Sequence, residues 1–148
     1  AVKMKQATVL FGGRRLKDTG RRGGYFMEPT LLESSRSDAS ISQDELFGPV
    51  SCLYRVKDFA EVIALANSTS FGLTAAIHTK SIHRIEAAQE RLECGVVSVN
   101  GPTYGGEPHL PFGGVKNSGN GWREAGTEAL DVYSEWKTVY IQHNPKLL

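Results

Sequence analysis

Between residues 50 and 99 the chain alternates strand-like and helix-like runs, and that alternation restricts it to one class of fold. Val50, Cys52, Tyr54 and Val56 alternate with Ser51, Leu53 and Arg55, a period near two that leaves one face of a strand more buried than the other. Asp58-Phe59-Ala60-Glu61 then has the spacing of a capping box, in which Asp58 accepts an amide of the first turn and Glu61 returns the bond. The helix it starts is predicted to reach about Asn67, with Val62, Ile63, Leu65 and Ala66 as its apolar side. Residues 73–79 form the next expected strand. Ser81 is positioned to cap a second helix, in which Ile82, Ile85, Ala88 and Leu92 recur at helical spacing, and residues 96–99 read as a third strand. Strand, helix, strand, helix, strand in segments of this length is the pattern of βαβ crossovers. The expected fold class is therefore α/β, a largely parallel sheet with flanking helices.

The flanks are less regular. Residues 7–11 read as a short strand ended by Gly12-Gly13, and residues 20–24, rich in glycine and arginine, as a loose turn. Residues 25–32 look extended, but Pro29 has no amide to donate, so this strand either lies at an edge or breaks there. Residues 34–42 are a polar stretch. From residue 101 to 126 no periodicity survives, and seven glycines fall between Gly105 and Gly126. Ordered connections of that length tend to be functional. A short helix over 127–133 and an extended tail over 136–141 complete the reading. There is no internal repeat.

At 148 residues the chain is long enough for one core, and a single domain is the expectation. Its 17 basic and 16 acidic side chains leave a net charge of +1, too little to concentrate nucleic acid or anionic lipid. The local cluster of Arg14, Arg15, Lys17, Arg21 and Arg22 reads as a solvated turn. No run approaches the roughly 20 apolar residues that span a bilayer, and residues 1–6 lack the apolar stretch of a signal peptide, so a cytoplasmic location is expected. Cys52 and Cys94 sit in apolar runs and read as buried thiols in a reducing compartment, not as a disulfide. His78, His83, His109 and His143 lack metal-site spacing, and Lys116-Asn117-Ser118 lacks the upstream spacing of a phosphate loop; no metal site is expected.

Three motifs carry more information. They are Glu45-Leu46-Phe47-Gly48-Pro49, Pro111-Phe112-Gly113-Gly114-Val115-Lys116-Asn117-Ser118-Gly119, and Lys137-Thr138-Val139. In this order, together with Pro29-Thr30 and residues 67–73, they resemble the C-terminal third of the NAD(P)-dependent aldehyde dehydrogenase superfamily. The resemblance covers nearly the whole chain. It implies that residues 1–134 are part of the catalytic domain and that residues 135–148 form an oligomerisation strand and tail.

By the same resemblance Glu45 accepts hydrogen bonds from the hydroxyls of the nicotinamide ribose, a task suited to a carboxylate with lone pairs for two vicinal hydroxyls. Phe47 packs beside the nicotinamide ring and restricts its position. Phe112 lines the aldehyde tunnel, where an apolar wall suits the organic tail and excludes water. Tyr104 and His109 lie in the loop that varies with substrate and are candidates for the same lining. Relative to the family pattern, Trp122 is inserted before Arg123-Glu124, two residues expected to hold the loop by hydrogen bonds.

The family chemistry uses a nucleophilic cysteine in a Gly-Gln-x-Cys setting, and this chain contains no such run. Neither Cys52 nor Cys94 follows a glycine-rich turn or helix start that would lower its pKa. The expectation is a chain with no catalytic residue of its own, inactive alone and binding NAD or NADP weakly or not at all, whose full-length form oxidises an aldehyde. The terminal strand is expected to drive self-association. The alternative is a non-catalytic α/β module that associates with dehydrogenase subunits.

Overall fold

A computed structural model describes residues 7–17, 20, 23–34 and 36–147. Three small sheets and four short helices make up the architecture. Strands β1 (Ala7–Phe11), β2 (Thr30–Ser34) and β3 (Val50–Leu53) form the first sheet in that order, with β1 antiparallel and β3 parallel to β2. The ladder of β2 begins immediately after Pro29, and β2 is the central strand. Of the two outcomes expected for Pro29 the break is the one observed, because a residue without an N–H cannot serve a central strand. The turn back toward β2 needs Gly12, whose φ is +71° and whose missing Cβ would lie 2.0 Å from the Pro29 carbonyl oxygen.

The polar stretch before the first motif contains an element that periodicity did not reveal. It is a four-residue helix, α1 (Ser40–Gln43), entered through the buried Ala39. Four residues cannot show a helical period. The strand expected over 50–56 is regular only to Leu53, but its alternation is observed as far as Arg55: Val50, Cys52 and Tyr54 are half-buried while Ser51, Leu53 and Arg55 are exposed, and Val56, expected on the buried face, is exposed beyond the end of the strand.

Helix α2 (Phe59–Ala66) follows, capped by Asp58 as its sequence predicts, although Glu61 takes the amide of Lys57 and not that of Asp58. The Glu61 amide donates to Asp58 Oδ1 at 2.9 Å, while the Glu61 carboxylate accepts from the Lys57 amide at 2.8 Å. Strands β4 (Phe71–Gly72) and β5 (Thr74–Ile77) come next, separated by Leu73 alone. Helix α3 (Ile82–Arg91), with Ser81 as its cap, crosses over to β6 (Val96–Val99), which pairs in parallel with β5 along all four residues. This is the predicted crossover. The parallel strands are nonetheless divided between sheets: β3 pairs with β2, and the segment after α2 first forms β4, which pairs antiparallel with β7 (Val115–Lys116). The two-residue β4 and β7 lie below the length at which alternation can be read. The glycine-rich connection is thus pinned to the body of the protein by a ladder that its composition concealed.

Helix α4 (Ala129–Tyr133) lies within the predicted span, and a 3₁₀ turn (Pro145–Leu147) closes the described chain. Residues 136–141 belong to no ladder. Among the described residues no helix is long and apolar enough to cross a membrane.

Packing is thin. Leu32, Ala39 and Ala88 are the buried apolar residues, and no large side chain is fully enclosed among those described. The accessible surface is 11986 Å², against about 7,500 Å² for a compact monomer of this mass.

Candidate functional site

The Glu45–Phe47 segment leaves α1 at Asp44, whose amide donates to the Ser40 carbonyl at 2.8 Å. It rejoins the sheet at Pro49, whose carbonyl accepts from the Thr30 amide at 2.8 Å. Between those anchors Phe47 adopts φ +46° and is 92% exposed. The left-handed region costs a bulky non-glycine residue on the order of 1 kcal/mol or more, so the local conformation is imposed by the anchors, not chosen by the side chain. Gly48 and Pro49 complete the turn, with Val50 donating to the Gly48 carbonyl at 2.8 Å.

Glu45 is exposed and, among the described residues, has no ion pair or hydrogen bond. It borders a cavity of about 350 Å³ whose other walls include Asn67, Phe71, Leu73, Glu93, Cys94 and Ser118. An unpaired carboxylate at a cavity rim and an uncovered ring two residues on, both held by a constrained turn, are the two groups to which the resemblance assigned the sugar and base of a nicotinamide nucleotide. Among the described residues, none makes a hydrogen bond or ion pair to this segment.

Phe112 is fixed by the loop's own bridge. Its amide donates to the Glu124 carbonyl at 2.6 Å and the Glu124 amide donates back at 2.7 Å. The expected restraint by Arg123 and Glu124 takes the form of this main-chain bridge and of a bond from Arg123 Nη1 to the Trp122 carbonyl at 3.1 Å. Phe112 and Tyr104 line one mostly apolar cavity of about 510 Å³, together with Leu73, Thr103, Glu107 and Glu124. The structure therefore brings Phe112 and Tyr104 together. His109 is exposed and is not among the residues lining that cavity. A third cavity, of about 440 Å³, also has Phe112, Leu73 and Ser118 in its walls.

Leu73 borders all three spaces, so the Glu45 and Phe112 cavities adjoin across one side chain. Sequence reasoning placed Leu73 at the start of a strand. Its position between two ladders, which makes it a partition, becomes visible only once β4 is known. Ser118 was read as part of a motif without a task; its hydroxyl accepts the Gly72 amide at 3.0 Å and ties the loop to the same partition.

Lys116 locks the assembly. Its ammonium donates to the Asn67 carbonyl at 2.8 Å and the Thr69 carbonyl at 3.1 Å, and pairs with the Glu93 carboxylate at 2.7 Å. All three of its protons are used, and the charge sits where α2 ends with unsatisfied carbonyls. The Asn67 side chain in turn donates to the Arg91 carbonyl at 2.7 Å and accepts from the Glu93 amide at 2.9 Å. The ends of both crossover helices and the glycine-rich loop are thus one network.

The two cysteines are half-buried. Cys94 donates to the Val96 carbonyl at 3.3 Å, and burial pushes its thiol above the ordinary value, which keeps it protonated and poorly nucleophilic. Of the basic cluster, Arg14 pairs with Glu28 at 3.4 Å and Arg15 lies over the Tyr25 ring; Arg21 and Arg22 lie outside the described residues. Among those described, no group of His, Cys, Asp and Glu is placed to hold a metal ion.

The Glu-x-Phe-Gly-Pro and Pro-Phe-Gly-Gly motifs suggested a family, and comparison with known proteins identifies it: the chain belongs to the aldehyde dehydrogenase family, whose pattern matches residues 1–139. It is 42% identical over 135 residues to the 2,5-dioxopentanoate dehydrogenase of Saccharolobus solfataricus, covering 90% of this chain and 27% of that protein. To the alpha-ketoglutaric semialdehyde dehydrogenase of Bacillus subtilis it is 35% identical over 140 residues, covering 95% and 29%. The structure of 3,6-anhydro-L-galactose dehydrogenase in complex with NAP superimposes with a TM-score of 0.87 at 36% identity, covering 95% of this chain and 29% of that one. The chain thus spans less than a third of the length of these relatives.

Proposed function

We propose that this chain is the C-terminal third of an NAD(P)-dependent aldehyde dehydrogenase, with residues 1–134 contributing to the catalytic domain and residues 135–148 to association between chains. The Glu45–Phe47 turn is the observation that carries the reading: an unpaired carboxylate and an uncovered ring are held where none of the described residues uses them. NAD(P)+ supplies the hydride acceptor when bound. Glu45 accepts the ribose hydroxyls, and Phe47 limits how far the nicotinamide can tilt, which preserves a short transfer distance. Phe112 and Tyr104 form an apolar wall for an aldehyde, with Leu73 as the partition between the two ligands. No residue of this chain is assigned as nucleophile, and Cys94, with its raised thiol, is unsuited to the role. His109 is retained as a candidate for substrate contact from the outer loop.

A chimera tests this. Residues 1–148 replace the matching C-terminal segment of the S. solfataricus relative, and NAD(P)H formation is followed with an aldehyde. The chimera is expected to turn over, and its Glu45→Gln form to lose about tenfold in kcat/KM through weaker cofactor orientation. The isolated chain is expected to give no NAD(P)H. A folded chimera that binds neither cofactor, or turnover by the chain alone, contradicts the proposal.

The exposed apolar tail supports the second part of the reading. Trp136, Tyr140 and Ile141 are 98%, 91% and 85% exposed on a segment with no ladder partner. A β-rich edge of this kind is suited to pairing with another chain.

A further inference from the structure

Residues 45–47 make no hydrogen bond among the described residues, so the position of the Glu45 carboxylate depends on the two anchors that flank it. The later anchor is main-chain, at Pro49. The earlier one is α1, and four residues with a single helical turn cannot hold their own geometry in water. Something else fixes it.

The half-buried face of the β3 run supplies the restraint. Cys52 Sγ donates to the Ile41 carbonyl at 3.9 Å, and the Tyr54 hydroxyl donates to the Ser42 hydroxyl, which itself donates to the Arg36 carbonyl at 2.9 Å. Gln43 adds a side-chain bond to the Ser37 carbonyl. Of these contacts, Tyr54 to Ser42 is the one that joins α1 to the sheet through two hydroxyls, both half-buried, where water competes poorly.

The geometry points to Tyr54 and Ser42 as positioning residues for the nicotinamide contact: their bond clamps α1 to the sheet and so sets where Glu45 and Phe47 stand. Neither touches a ligand. Their effect passes through Asp44 into the turn. The assignment rests on the reading of Glu45 and Phe47 given above, and extends it to two side chains outside every recognised motif.

The test uses the whole ¹⁵N-labelled chain and its Tyr54→Phe, Ser42→Ala and Ser42→Thr forms, with two readouts. The first is amide exchange at Gln43 and Asp44, with α3 amides as the internal reference. Loss of one hydrogen bond should accelerate it about fivefold in Tyr54→Phe and Ser42→Ala, no further in the double variant, and Ser42→Thr should restore it. The second carries the same substitutions into the chimera described above, which supplies the rest of the cofactor site, and titrates it with NADH and NADPH, read by nicotinamide fluorescence. The dissociation constant should rise about fivefold in the two disruptive variants and return in Ser42→Thr. Unchanged exchange in Tyr54→Phe overturns the clamp. Faster exchange with unchanged nucleotide affinity overturns its positioning role and leaves it as scaffolding. Absence of reduced-cofactor binding by the folded, unsubstituted chimera overturns the cofactor reading, and the role given to the clamp with it; the exchange result separates that failure from the clamp's own.

Discussion

Residues 96–99 and 139–141 have similar local chemistry and opposite fates. Val96-Val97-Ser98-Val99 and Val139-Tyr140-Ile141 are both rich in residues that favour extended backbone. The first is a strand, β6, fully paired with β5 and half-buried along its length. The second has no ladder partner, and its side chains are 66%, 91% and 85% exposed. The difference is what stands beside them. Helix α3 returns the chain to lie against β5, and the Asn67–Lys116–Glu93 network holds the ends of that crossover. Nothing described returns a strand to the tail. Propensity nominates a strand, and a neighbour makes it one.

The largest expected effect comes from disturbing the paired region. A Cβ at Gly95 would lie 1.6 Å from the Gly113 carbonyl oxygen, so Gly95→Ala must separate β6 from the glycine-rich loop and should cost about 3 kcal/mol or more. Thermal denaturation measures it; a melting temperature unchanged from the parent chain would mean that β6 and the loop do not approach as described.

Lys116→Met sharpens the comparison by removing the lock without adding bulk. Two helix-end carbonyls and one carboxylate lose their donor, a loss of about 2 kcal/mol for charge-assisted bonds at a half-buried site. Urea denaturation should show the loss with an unchanged slope. In the tail, by contrast, Val139→Lys with Ile141→Lys should move the same midpoint by less than about 0.5 kcal/mol, because the side chains replaced are already in water. A large shift there would erase the distinction between the two regions.

The smallest effect depends on pH. Burial raises the Cys94 thiol above its ordinary 9.0, so the folded chain holds this proton more tightly than the unfolded one. That contribution is fully present below the unfolded value and fades as pH climbs from about 9 through the raised folded value. Melting temperature should therefore fall more steeply above pH 9 in the parent chain than in Cys94→Ala. Parallel curves would indicate that the thiol is as solvated folded as unfolded.

How much of this was legible in sequence follows the same division. The caps at Asp58 and Ser81 and the helices α2 and α3 rest on local spacing, which survives in any context, and these are observed, although Val62, Ala66 and Ile82 of the expected apolar faces are exposed. Motif residues Glu45, Phe47 and Phe112 were visible as a resemblance. Their arrangement about Leu73 was not, because it depends on β4 and β7, two residues each and 43 positions apart from Gly72 to Val115. The Lys116 network and the Tyr54–Ser42 clamp were hidden for the same reason: each joins side chains that only the folded topology brings together. Single-sheet expectations gave way where one residue, Leu73, shifts the chain from one ladder to the next.

Across the molecule the open surface exceeds that of a compact monomer of this mass by roughly 60%. Phe47, Tyr104, Tyr133, Trp136 and Tyr140 are each more than 80% exposed, and the association between chains proposed above would cover apolar surface of this kind. Light scattering coupled to size exclusion, over a wide range of concentration, is the most direct test. The account predicts a mass that rises above the monomer value of 16.2 kDa as concentration increases; a strict monomer with native helix content at every concentration would contradict it.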